Sequence, residues 1–214
     1  MKVIYCYDAY CAWCYAFRPL FNKILEKYQD AFTFEILSGG MILPETPAPI
    51  SIMAPAMNSL LTEVVANTGV VFGQDFLWHF QNPESSDWFP NSETPAIALS
   101  IIKDMNYDIA FAFASDMQYG LFEEGRDLTD GEAYRHLLEK YEIDPTDFYQ
   151  RLKSQTYKEK AHVDFALTKR LQITGFPAVL LQVSIDKFYL MANGYLDFDS
   201  LDNRFQNIMA EMNN

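Results

Sequence analysis

Basic residues are scarce in this chain. Sixteen Lys and Arg stand against 29 Asp and Glu, a formal net charge of −13 over 214 residues. They form no cluster, so neither a phosphate backbone nor an anionic membrane surface meets a complementary stripe; no nucleic acid and no membrane partner is expected. Long hydrophobic runs are missing as well. No stretch approaches the roughly 18 apolar residues of a spanning helix. Met1-Lys2 passes straight into a strand-like segment, with no apolar region of roughly 7–15 residues ahead of a cleavage site, so a cytoplasmic location is expected. Three cysteines are too few for a disulfide scaffold at this length. Three histidines, His79, His136 and His162, are scattered and read as structural or surface groups.

What is present is a packed-core composition, half hydrophobic and 15% aromatic. The chain is long for one minimal domain and short for two large ones. Strand periodicity appears at Lys2–Tyr7 and Thr33–Leu37, separated by a helix from about Ala12 to Gln29. The apolar stripe of that helix is Trp13, Phe17, Leu20, Phe21, Ile24 and Tyr28. Pro19 inside it cannot donate to the carbonyl of Tyr15, and a kink is expected. A Pro-rich loop follows Gly39-Gly40. Helical patterns then run over Ile52–Asn67, Ser92–Met105, Ile109–Glu124, Asp130–Tyr141, Asp144–Ser154 and Lys158–Leu171. Trp78–Pro90 reads as a loop or short helix over a core edge. Arg126, Asp127 and Asp130 read as capping and pairing groups at a helix start. Phe111, Phe113, Met117 and Phe122 fall at helical spacing and read as core. After Thr174-Gly175 strand character returns at Pro177–Val183 and Phe188–Met191, and Phe198–Met212 reads as a last helix. A helical block set inside a compact βαβ…ββα unit accounts for this order, with both strand-rich ends in one sheet.

Cys11-Ala12-Trp13-Cys14 lies at the first strand-to-helix junction. A thiol at a helix N-terminus faces unpaired N–H groups that favour its thiolate, the form that attacks disulfides. The spacing therefore predicts Cys11 as nucleophile, held in the open with its sulfur toward those groups. Cys14, one turn on and on the inner side, is the resolving thiol. Ala12 and Trp13 add no positive charge, so thiolate stabilisation is weaker than a histidine-containing dipeptide would give. Trp13 reads equally as surface cover and as a peptide-binding group. Half a zinc site would need about two further ligands, and Cys6 with the scattered histidines supplies no second pair. Cys6, mid-strand, reads as a buried, inert thiol. Thr174-Gly175-Phe176-Pro177 opens a strand with a proline, which belongs at a strand's first residue; in the cis form it would leave the backbone of Phe176 free to pair with an incoming peptide.

Taken together, Tyr7-Asp8 through Cys11-Ala12-Trp13-Cys14-Tyr15, Pro19, Ser38-Gly39-Gly40-Met41, Glu123 to Asp130 and Thr174-Gly175-Phe176-Pro177-Ala178 resemble the DsbA-like branch of the thioredoxin superfamily. Within it they resemble the signal-less FrnE-like group of dithiol-disulfide isomerases. The resemblance implies an α/β, thioredoxin-like fold with a large helical insertion: residues 1–45 and 172–214 form the split thioredoxin-like domain and 46–171 the insert. It implies a cis-proline loop facing Cys11, with Ala12, Trp13, Phe176 and Pro177 as substrate-binding residues. The implied activity is thiol-disulfide exchange on protein or small-molecule substrates. No tightly bound cofactor is expected, and glutathione is a candidate redox partner. Two departures stand out. The dipeptide is Ala-Trp where Pro-Trp is common, and Lys2–Tyr7 offers no carboxylate of the kind some relatives bury near the thiols; both leave the redox potential open and put oxidase-like behaviour in doubt. A thioredoxin-fold adaptor with redox-sensing thiols, and a glutathione-dependent isomerase or transferase, are the alternatives. Direction, substrate and oligomeric state are not legible.

Overall fold

The computed structural model describes residues 1–212. Its centre is one four-stranded sheet of β1 (Lys2–Tyr7), β2 (Thr33–Ser38), β3 (Ala178–Gln182) and β4 (Phe188–Asn193), in the order β2-β1-β3-β4. β1 runs parallel to β2 and antiparallel to β3, and β3 runs antiparallel to β4. The two ends of the chain thus share one sheet, as the element order predicts. A parallel β1–β2 pair needs a crossover, and α1 (Ala12–Tyr28) is that crossover. β1 is buried on both faces, which is why it reads as nearly continuous apolar sequence. Val3, Tyr5 and Tyr7 join the large core with α1, while Ile4 and Cys6 join Leu37, Ala178 and Leu180 in a smaller core on the other face.

Between β2 and β3 lie α2 (Ala54–Thr68), α3 (Gln74–Gln81), α4 (Glu93–Met105), α5 (Ala110–Phe122), α6 (Arg135–Lys140), α7 (Pro145–Leu152) and α8 (Gln155–Arg170). The final helix is α9 (Phe198–Met212). Several boundaries differ from the sequence expectation. α2 starts two residues late because Ile50–Ile52 closes as a 3-10 turn. Residues 74–81 are helical although the expected element began at Trp78, since Phe76 and Phe80 at i and i+4 bury one face. The segment expected as one helix over Asp130–Tyr141 divides into a 3-10 turn, Gly131–Tyr134, and α6. β4 continues to Asn193, past Met191, with its register against β3 shifting between Val179 and Leu180. α1 runs on through Pro19, which sits on its exposed face.

α8 is fastened to the end of β2. Asp164 Oδ2 accepts from Ser38 N at 3.1 Å, and Thr168 Oγ1 donates to Ser38 O at 3.3 Å. Lys103 of α4 closes the arrangement, 2.9 Å from Asp164 and donating to Ile36 O at 3.0 Å. Burial pushes the Asp164 carboxyl up, and Lys103 opposes it. Breaking a buried pair of this kind leaves an uncompensated charge and typically costs about 3–5 kcal/mol, so the register of β2 against the helices is firmly set.

Candidate functional site

Cys11 is the N-cap of α1, with extended backbone (φ −82°, ψ 107°). Its sulfur accepts from Cys14 N at 3.2 Å, which satisfies one orphan donor of the helix start. Cys14 lies in the first turn, fully buried, and both thiols are free. Burial pushes the Cys14 thiol well above its ordinary range, and the neighbouring Cys11 adds to this. The expectation of an open first sulfur needs correction. Cys11 is only 4% exposed, because the loop at Phe176 closes over it and Phe176 O accepts from Cys11 Sγ at 3.4 Å.

The turn that presents Cys11 is built on Asp8, one residue beyond β1. Cys11 N donates to Asp8 O at 3.1 Å. The Asp8 carboxylate accepts from Tyr10 N (3.0 Å), Met41 N (2.7 Å) and Ser92 Oγ (2.9 Å). Ser92 also accepts from Ile42 N at 3.0 Å. From α5, Gln118 Nε2 donates to Asp8 O at 3.0 Å and reaches Cys11 O at 3.5 Å. Burial raises the Asp8 carboxyl, and the donors around it oppose that rise. The first strand does lack a carboxylate, but one stands directly after it. The sequence signal was an Asp two residues before Tyr10, the usual spacing for a carboxylate that bonds the backbone two residues on. In sequence Ser92 marks only the start of the helix expected over Ser92–Met105; its side chain makes no cap hydrogen bond there and reaches Asp8 instead, and Gln118 gave no signal.

The facing loop is anchored by its side chain. The Phe176–Pro177 peptide is cis. The Phe176 ring lies on Gly39, where an added Cβ would meet ring atoms at 2.1–2.7 Å. Gly39-Gly40 is therefore more than a strand end: Gly39 makes room for the ring that seats the Phe176 carbonyl over Cys11. Pro177 O accepts from Gly194 N at 2.8 Å, while Phe176 N–H has no hydrogen-bond partner among the described residues. Trp13 is half-buried, its ring 6.0 Å from that of Tyr195, which sequence reasoning missed. Ala12 is buried in the core beside Cys14.

The remaining candidates lie elsewhere. His79 stacks on Trp88 at 3.8 Å, His162 contacts Glu93 at 2.6 Å, and His136 sits near Glu124. Arg126 pairs with Glu124, Asp127 accepts from Thr129 N, and Asp130 caps the 3-10 turn through Glu132 N. Phe113, Met117 and Phe122 are buried core, and Phe111 packs against it. Cys6 is fully buried on the opposite sheet face, and burial pushes its thiol up to about 12. At pH 8 the buried Cys6 thiol is therefore held in its protonated form. Cys6 is expected to stay unlabelled by iodoacetamide in the folded protein at pH 8 and to label fully in denaturant, as peptide mass mapping would record; labelling of native Cys6 would contradict this assignment.

The sequence matches the family model for the DSBA-like thioredoxin domain over residues 2–206. No curated protein matches the chain. Among solved structures, it is similar to a candidate protein disulfide isomerase from Nitrosomonas europaea, at 21% identity and a TM-score of 0.84 over 98% of each chain. It is also similar to the cytosolic disulfide reductase DsbM from Pseudomonas aeruginosa, at 19% identity and a TM-score of 0.78, covering 98% of this chain and 99% of that one. DsbM solved with GSH aligns at 18% identity and a TM-score of 0.75, over 98% of this chain and 100% of that one. At these identities the likeness is one of fold.

Proposed function

Because the chain belongs to the DSBA-like thioredoxin-domain family, we propose that it is a thiol-disulfide oxidoreductase that works in the reducing direction. The observation that carries the reading is the placement of Cys11 Sγ 3.4 Å from Phe176 O, with Cys14 directly behind it. Cys11 thiolate attacks a substrate disulfide, the mixed disulfide forms, and Cys14 resolves it. Phe176 offers its carbonyl and its unpaired N–H to the substrate backbone, as an edge strand would. Pro177 holds that segment, and Trp13 covers one side. The split thioredoxin unit of residues 1–45 and 172–214 supplies the thiols and the facing loop, and the 46–171 insert supplies Ser92 and Gln118 behind them.

Direction follows from the charge around the reduced pair. A strongly oxidising pair is one whose reduced form is stabilised. Here the Cys11 sulfur receives one backbone N–H, and Arg18, one turn beyond Cys14 on α1, is occupied with Ser115 O and the Tyr15 ring. The potential therefore belongs near that of thioredoxin, about −270 mV, with glutathione or a dithiol protein as electron source. The GSH-bound form of DsbM fits such a donor, and the cytoplasm is the compartment where it works. Equilibration against glutathione buffers, read by alkylation of freed thiols, is expected to give a reversible Cys11–Cys14 disulfide near about −270 mV. A value toward about −120 mV would reverse the direction. No reversible disulfide at all would make the protein a binding adaptor instead.

A further inference from the structure

The two faces of the sheet are covered unequally. On one, α1 and α9 join Val3, Tyr5 and Val179 in the large core that also holds both thiols. On the other, α8 is fastened to the end of β2 through Ser38. Beside it remains a cavity of about 470 Å³, between the sheet, the end of α8 and the turn that joins β3 to β4. Ile4, Leu37 and Leu180 of the small core form its floor. Leu167 and Leu171 line it from the end of α8, and Phe188 lines it from β4. Ile185, on the turn, also lines it and is 91% exposed, apolar surface that the fold itself leaves in water. An apolar cavity of roughly 300–1,000 Å³ with a few polar groups at its edge is the usual form of a small-molecule site.

The charged groups of the lining choose a ligand. Glu35 is matched by Lys2 Nζ at 2.8 Å and the pair adds no net charge. Arg170, in the last turn of α8, is not matched. Of the six arginines, Arg126, Arg135 and Arg151 have carboxylate partners, and Arg18 and Arg204 donate to the carbonyls of Ser115 and Met191. Arg170 alone has no ion pair, hydrogen bond or ring contact among the described residues, and it does not bond the carbonyls that end its own helix. The chain holds 29 acidic side chains against 16 basic ones, yet none is placed against this guanidinium. A guanidinium takes a carboxylate through two parallel N–H donors. We propose that the cavity binds an aliphatic monocarboxylate, its chain on Ile4, Leu180 and Phe188 and its head group on Arg170. The Gln172 and Gln182 amides, also in the lining, are further donors to the head group. Each methylene buried contributes about fourfold in affinity, and the guanidinium sets the sign of the head group. Binding here requires neither thiol, because the cavity lies on the sheet face opposite α1.

Decanoate and decyltrimethylammonium share a chain and differ in the charge of the head. Each is titrated, below its micelle concentration, into the full chain and followed by methyl NMR. Decanoate is expected to shift the methyls of Ile4, Leu180 and Ile185 saturably, and the ammonium to bind roughly tenfold more weakly, since it meets Arg170 with like charge. Arg170→Gln is expected to weaken decanoate roughly three- to tenfold and not to weaken the ammonium. Ile185→Asp removes apolar surface and adds a negative charge, and is expected to weaken decanoate further still. Both side chains are exposed, so both variants are expected to keep the wild-type melting temperature and the wild-type capture of glutathione by Cys11. No saturable shift, or shifts confined to other parts of the molecule, would overturn the site. Equal binding of the two head groups, or an unchanged decanoate affinity in Arg170→Gln, would overturn the choice of a carboxylate. A wild-type dimer that Ile185→Asp dissociates, read by analytical ultracentrifugation, would give the cavity to a second copy of the chain and overturn the small-molecule site.

Discussion

Disulfide exchange is expected to fall roughly a thousandfold or more when Cys11 becomes serine, because a hydroxyl at that position cannot supply the nucleophile. Cys14 cannot substitute for it. Its sulfur is fully buried and its thiol is held protonated by burial, so it meets only a disulfide already delivered to Cys11. The converse variant, Cys14→Ser, is expected to keep the first attack and to accumulate the mixed disulfide, visible as a stable mass adduct after exposure to glutathione disulfide. Initial rates with a chromogenic disulfide and adduct mass spectrometry check both halves. Exchange at the wild-type rate in Cys11→Ser would remove this site from the function altogether.

Gly39→Ala is expected to produce the next largest effect, although Gly39 touches neither thiol. The new methyl would fall 2.1 Å from Phe176 Cζ and 2.5 and 2.7 Å from its Cε atoms. The ring must leave, and the Phe176 carbonyl that lies over Cys11 moves with it. Overpacking of this size costs about 1–3 kcal/mol, which for a chain of this length lowers the melting temperature by about 2–12 °C. A misplacement of about 1 Å at a reacting centre costs on the order of a hundredfold in rate, so capture of substrate by Cys11 should drop about that much. Removing the ring in the same background, Gly39→Ala with Phe176→Ala, relieves the clash. The double variant is therefore expected to be more stable than the sum of the two single losses. Strict additivity would mean that ring and glycine are not coupled and that the loop is held by something else.

Much of this was legible in the chain, for identifiable reasons. β1, α1 and β2 follow from short-range periodicity, and the Cys-x-x-Cys spacing at their junction fixes which helix end holds the thiols. That the strand-rich ends share one sheet followed from element order alone; which strand pairs with β1 did not. Helix boundaries in the insert were less accurate where a 3-10 turn precedes or replaces an expected first turn, as at Ile50–Ile52 and Gly131–Tyr134. Those turns are set by what the segment packs on, and a local pattern does not carry that information. The support behind the thiols was the least legible part. In sequence Ser92 is a helix start and Gln118 an ordinary helix residue, and only the packing of α4 and α5 brings them to Asp8. Cys11 was expected to be open because the thiol turn alone would leave it so; the cover comes from Phe176.

The contact between Cys11 and Phe176 spans 165 residues. On a ribosome adding about 5–20 residues per second, the thiols are therefore made on the order of ten to thirty seconds before the segment that shields them. During that interval β1 also lacks its neighbour β3, and the turn at Asp8 waits for Ser92 and Gln118. A growing chain thus carries both sulfurs without the cover that the folded chain gives them. The cover over Cys11 arrives only once residues 176–182 have been made, and any oxidant met earlier finds two unguarded cysteines.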